Sequence, residues 1–343
     1  MRSLPERVTN PFYNEQERRL RAFWRLLFQF VVFLAGASVL ESLALAAFIL
    51  LDGRSPGAGG TQNVAMSPAF TAVGNGITPL AVALLSVWLA GRFLDRRYFS
   101  EFGLRLRDRA WWTDLSFGLS LGALLMTGVF LVEFEAGWVH ITGSFEATGG
   151  GPFFPAILAP LVLFFCVGIN EELVSRGYQL RNLAEGLNFS SVGPRGAVVL
   201  AWATSSSLFG LFHLSNPNAS VISTVNIIFA GLLLGAGYIL TGRLAISMGL
   251  HMTWNFFQGN VFGFPVSGVE PVGASFISIE QGGPIFITGG PFGPEAGLLG
   301  LSLIVVGSVL IWLWVRIYSG RATIQSSLAK PSTHTQKGSG NIG

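Results

Sequence analysis

Long apolar runs separated by short polar or glycine-rich stretches set the pattern of this chain. A helix needs roughly 20 apolar residues to cross the hydrocarbon core of a bilayer. Eight such runs are legible, at about 26–50, 73–94, 113–132, 154–177, 196–213, 221–241, 244–262 and 296–317. The first follows a basic segment, as a signal peptide would, but it is too long for a signal core and Glu41 interrupts it, so it reads as a retained helix. The pattern predicts an all-α, polytopic membrane bundle of about eight transmembrane helices. The stretch 258–294 is rich in Gly and Pro and lacks Lys and Arg. Its alternating segments Phe276-Ile277-Ser278-Ile279 and Ile285-Phe286-Ile287-Thr288 read as a short hairpin or a re-entrant cover. From Gly320 the chain turns polar, and a disordered tail is expected over 320–343.

Charge orients the pattern. Every Lys and Arg except Arg54 falls on one side of the eight runs: before the first, between the second and third, after the fourth, after the sixth and after the eighth. By the positive-inside rule both termini are cytoplasmic, and a prokaryotic plasma membrane is the expected location. The divisions follow: 1–25 a cytoplasmic segment, 26–150 the N-terminal membrane helices, 151–262 a core, 263–319 an external Gly-rich loop with the last helix, then the tail.

Composition agrees. Half of the residues are hydrophobic and 11% are charged, against about a quarter charged in soluble domains. The net charge of +3 is gathered beside apolar runs, so it speaks for membrane orientation and against nucleic acid. Cys166 is the sole cysteine, which excludes an intrachain disulfide and a multi-cysteine metal site. Trp24, Trp111, Trp112, Trp138, Trp312, Trp314 and Tyr318 lie near run ends, as an interfacial belt against membrane lipid should.

Polar side chains inside the apolar runs carry the candidate chemistry, because ionisable groups at membrane depth are costly and therefore functional by default. Glu171-Glu172-Leu173-Val174-Ser175-Arg176 ends the fourth run, Phe209 and His213 are four apart in the fifth, and so are His251 and Asn255 in the seventh. Residues four apart share a helix face. Glu172 and Arg176 therefore read as an ion pair, which leaves Glu171 without a local partner and makes it the candidate base. His251 and Asn255 address one point in space. Counting from the turns places Glu171 and His213 roughly 24 and 27 Å along their helices but His251 only about 12 Å along its own. The three meet only if the end of the fourth helix projects beyond the membrane, and the site is then expected to open towards the cytoplasm. Each element also has a plainer role: a lone membrane histidine often bonds a neighbouring helix, Asn226 and Glu41 can serve as polar glue, His140 and His334 as solvated side chains, and Ser205, Ser206 and Ser207 as small packing residues. H-E-x-x-H, G-x-S-x-G and G-x-G-D signatures are absent.

E-E-x-x-x-R, F-x-x-x-H and H-x-x-x-N on successive runs resemble the CPBP family, which contains the type II CAAX prenyl proteases and the bacteriocin-processing and immunity membrane proteins. The resemblance covers about 155–260. It implies an intramembrane endopeptidase acting on a peptide or lipidated protein. Glu171, aided by His213, would activate water; His251 and Asn255 would bind the oxyanion; Glu172, Arg176 and Phe209 would support them. Glu171, His213 and His251 are also a sufficient zinc set. The metal-free reading is preferred, because Asn255 is a poor zinc ligand but a good oxyanion donor. A non-catalytic scaffold or immunity protein of the same fold is the alternative. A proton-coupled carrier using Glu171 and Glu41 is disfavoured, since no inverted repeat is visible.

Overall fold

The computed structural model describes residues 10–52, 67–148 and 150–331. Arg54 and His334 lie outside them. Seven helices in this part are long and apolar enough to cross a membrane: α1 (Ala22–Leu51), α2 (Pro68–Asp95), α3 (Arg109–Glu135), α4 (Phe153–Gly186), α5 (Gly193–Ser215), α6 (Val221–Thr241) and, after a shorter helix, α8 (Leu298–Ser319). They form the all-α membrane bundle that the apolar pattern predicts.

The expected run at 244–262 forms the shortest of the membrane helices. Its helix α7 comprises Ala245–Phe256 and a π-helical turn, Phe257–Val261, which together reach the lower end of the length a span needs. It need not match the bilayer, because most of its first half is buried. Glycines make this possible. A Cβ on Gly118 of α3 would stand 2.4 Å from the Ile246 carbonyl oxygen, and one on Gly249 of α7 would stand 2.5 Å from the Leu115 carbonyl oxygen. The two backbones touch, as small residues at membrane helix interfaces allow.

On the glycine-rich side, β3 (Val139–Ala147) pairs antiparallel with β4 (Ala274–Gln281). This corrects the hairpin expected within 276–288. Gly282 and Gly283 break the strand, and Ile285–Thr288 is a helical turn that follows Pro284. The partner strand comes instead from the loop between α3 and α4. Behind this cap, one apolar cluster gathers Phe130, Phe262, Phe264 and Phe292; a second, at the arginine-rich side, gathers Phe102, Trp111, Tyr178 and Tyr238.

The arginine-rich side is clasped by ions. Two short strands, β1 (Tyr13–Asn14) and β2 (Arg19–Leu20), present Arg19, whose guanidinium lies 2.7 Å from Glu185. Arg97 also pairs with Glu185, and Arg25 with Asp95. The tail from Gly320 is ordered as far as it is described, a second correction. Leu328 and Ala329 are buried, the Ala329 carbonyl accepts from Asn188 Nδ2 at 3.0 Å, and the Gln325 backbone donates to Ile239. Polar composition there hid two apolar residues with a groove to fill.

Candidate active site

The fourth helix solves the depth problem. At 34 residues α4 is about 51 Å long, against a core of about 30 Å, so its end projects and carries Glu185 into the clasp. Immediately after Glu172 the helix widens into a π-helical segment, Leu173–Leu180, a deviation common at functional sites. Arg176 is fully buried within it and donates from Nη1 to Glu172 Oε1 at 2.8 Å and from Nη2 to the Gly231 carbonyl at 3.2 Å. Gly231 also lets α6 lie close against α5, since a Cβ there would stand 3.0 Å from Ser206. The ion pair read from the sequence is therefore formed, with a backbone acceptor added.

Two contacts were not legible from spacing. The Arg176 guanidinium carbon lies 4.3 Å from the centre of the Phe209 ring, which gives the phenylalanine a cation–π role. Glu172 Oε1 also accepts from His251 Nδ1 at 2.9 Å. One carboxylate thus binds Arg176 and fixes the orientation of His251. The hydrogen bond puts a proton on Nδ1, so Nε2 donates only when the ring is an imidazolium, and otherwise accepts. That Nε2 stands 3.9 Å from Glu171 Oε2. Glu171 Oε2 is buried and without a hydrogen-bond partner. On the far side of Phe209, the His213 ring is 4.8 Å from the phenyl ring, and its Nδ1 lies 2.7 Å from the Phe209 carbonyl oxygen.

Glu171, Phe209, His213, His251 and Asn255 all line one cavity of about 1010 Å³, whose walls are mainly apolar. Glu172 and Arg176 stand behind its wall. Asn170 lines it too, and its buried Oδ1 has no partner. Glu41 is exposed and does not line the cavity, so the two carboxylates of the carrier reading share no path here. The opening expected towards the arginine-rich side is a further correction. There the lining groups Val174 and Gln179 are buried. The exposed lining groups are instead Leu34, Phe212 and Val269, with Asn75, Pro217 and Glu270. They place the mouth beside α1 and under the 266–272 loop of the cap.

At that capped end, Glu295 is buried and lines the cavity. It accepts from the Ser267 backbone at 2.5 Å and from Gln258 Nε2. Burial pushes its carboxyl up to about 7. Sequence reading missed it, because Pro294-Glu295-Ala296 sits in a loop with no span-like pattern.

Among the described residues no three of His, Cys, Asp and Glu are grouped closely enough to hold an ion, so Glu171, His213 and His251 do not fit one as they stand.

The fold and site define a polytopic helical membrane protein with a carboxylate–histidine cluster on the wall of an apolar cavity. Residues 153–257 match the family model described as Rce1-like, type II CAAX prenyl endopeptidase, which supports the resemblance to the CPBP/CAAX membrane proteases. No curated protein and no solved structure matched the chain.

Proposed function

We propose that the chain is a metal-independent intramembrane endopeptidase with Glu171 as its general base. The observation that carries this is the buried, unpartnered Glu171 Oε2, 3.9 Å from the Nε2 of an oriented histidine. Water held between Glu171 and His213 gives a proton to Glu171, and the hydroxide attacks the scissile carbonyl carbon. The oxyanion takes hydrogen bonds from His251 Nε2–H and Asn255 Nδ2–H. Asn255 has no hydrogen-bond partner among the described residues, so its amide is available. Glu172 accepts from the Nδ1 of His251 and so fixes the orientation of its ring. Glu171 then returns its proton to the leaving amine as the C–N bond breaks. Donors fixed in a water-poor site stabilise such charge strongly, and positioned proton transfer contributes about 10²–10⁴-fold.

A CAAX-type, prenylated peptide is the substrate class implied by the family match. Purified protein incubated with prenylated and unprenylated CAAX peptides is the direct test, with Glu171→Ala alongside. Cleavage by the wild type and none by the variant is expected; equal cleavage by both removes the assignment. Orientation is proposed with both termini and the 92–110 and 181–195 loops cytoplasmic. Single-cysteine labelling on a Cys166→Ala background reads this loop by loop, and labelling of 258–294 from the cytoplasmic side contradicts it.

A further inference from the structure

A second, smaller cavity lies at the arginine-rich end of α2, away from the candidate active site. It holds about 230 Å³ and is lined by Trp88, Arg92, Arg97, Tyr98, Phe99 and Phe102. Three observations give it a chemistry. Arg92 is exposed, sits 5.8 Å from the Phe93 ring centre, and has no ion pair or hydrogen bond among the described residues. Arg97 is 4% exposed and spends its terminal nitrogens on Glu101, Glu185 and the Lys330 carbonyl, yet its buried Nε has no partner. A buried donor left unmatched is costly and calls for an acceptor. Finally, the neighbouring Trp88, Phe93 and Tyr98 are 47%, 63% and 64% exposed, as large aromatic groups are at headgroup level.

We propose that this cavity binds a phosphate group, and that its source is an anionic phospholipid. Guanidinium groups match phosphate oxygens through paired N–H donors. Arg92 supplies the mobile charge at the rim, and Arg97 lines the cavity as a fixed guanidinium whose Nε is still unmatched. A soluble phosphate compound shares that chemistry. The position favours lipid: the cavity lies at the end of a membrane span, where basic pockets meet anionic headgroups, and apolar rings at its rim suit the glycerol and the start of an acyl chain. The site is independent of the catalytic reading, since none of its residues lines the larger cavity.

The test is native mass spectrometry of the full chain in neutral detergent, with phosphatidylglycerol, phosphatidylcholine and glycerol 3-phosphate as probes. Phosphatidylglycerol is expected to be retained over phosphatidylcholine by ~fivefold or more, the worth of one well-placed arginine near the surface. Arg92→Ala removes that preference. Arg109→Ala deletes an exposed charge at the start of α3 and leaves it intact. Equal retention of the two lipids, or equal losses in the two variants, overturns the site. Displacement of phosphatidylglycerol by an equal concentration of glycerol 3-phosphate overturns the lipid source and assigns the cavity to a soluble phosphate compound.

Discussion

Two stretches of α4 set carboxylates among arginines, with opposite results. At the projecting end, Glu185 is met by Arg19 at 2.7 Å, by Arg25 at 3.3 Å and by Arg97, which ties the N-terminal strands, the end of α2 and α4 together. In the middle, Glu172 takes Arg176 and His251 on one oxygen and keeps the other buried and unmatched, while Glu171 makes no side-chain hydrogen bond and no ion pair closer than 3.9 Å. Carboxylates tied into ion pairs hold structure. One without a hydrogen bond, beside a cavity, keeps its acceptors open, which is what a base requires. The adjacent pair in the sequence is thus a division of labour, with the helix turning successive side chains about 100° apart.

That contrast can be broken residue by residue, beginning with the largest loss of stability. Glu172→Gln leaves Arg176 buried and unpaired, and the expected cost is roughly 3–5 kcal/mol. It also releases His251, so any folded fraction should turn over poorly. Thermal unfolding in detergent, with an activity assay on the surviving protein, checks both halves. Phe209→Ala removes the ring beneath Arg176, at about 3 kcal/mol, whereas Phe209→Tyr keeps the ring and should recover most of it. If the alanine and tyrosine variants unfold alike, the cation–π account of Phe209 fails.

Glu295 gives a smaller, pH-dependent effect at the capped end. Its folded carboxyl is raised to about 7 from an ordinary 4.5, so the folded state holds the proton more tightly than the unfolded chain. Its contribution is fully present below about pH 4.5 and is lost as pH rises through about 7. Melting temperatures of wild type and Glu295→Gln should therefore diverge between pH 5 and pH 8, the variant losing less. Parallel profiles would show that the carboxyl does not titrate against the fold.

Much of the architecture was legible because it is local. Apolar length located the helices, and four-residue spacing located the Glu172–Arg176 pair. What escaped depends on distant residues meeting. The β3–β4 pairing joins Val139 to Gln281, and alternation marks a strand without naming its partner. The His251–Glu172 bond joins helices far apart in the chain, so no spacing within either motif encodes it. Helix α7 is legible from its apolar composition, but its close packing against the Gly118 face of α3 is not. The mouth of the cavity was misplaced because counting from turns gives depth along a helix but not which wall is missing.

Turnover by Glu171→Gln tests the central claim most directly. The amide preserves the shape of the side chain but cannot accept a proton. The account predicts wild-type thermal stability, because Glu171 makes no ion pair closer than 3.9 Å, together with a loss of about 10²–10⁴-fold or more in peptide cleavage. Wild-type cleavage by a normally folded Glu171→Gln protein would contradict it.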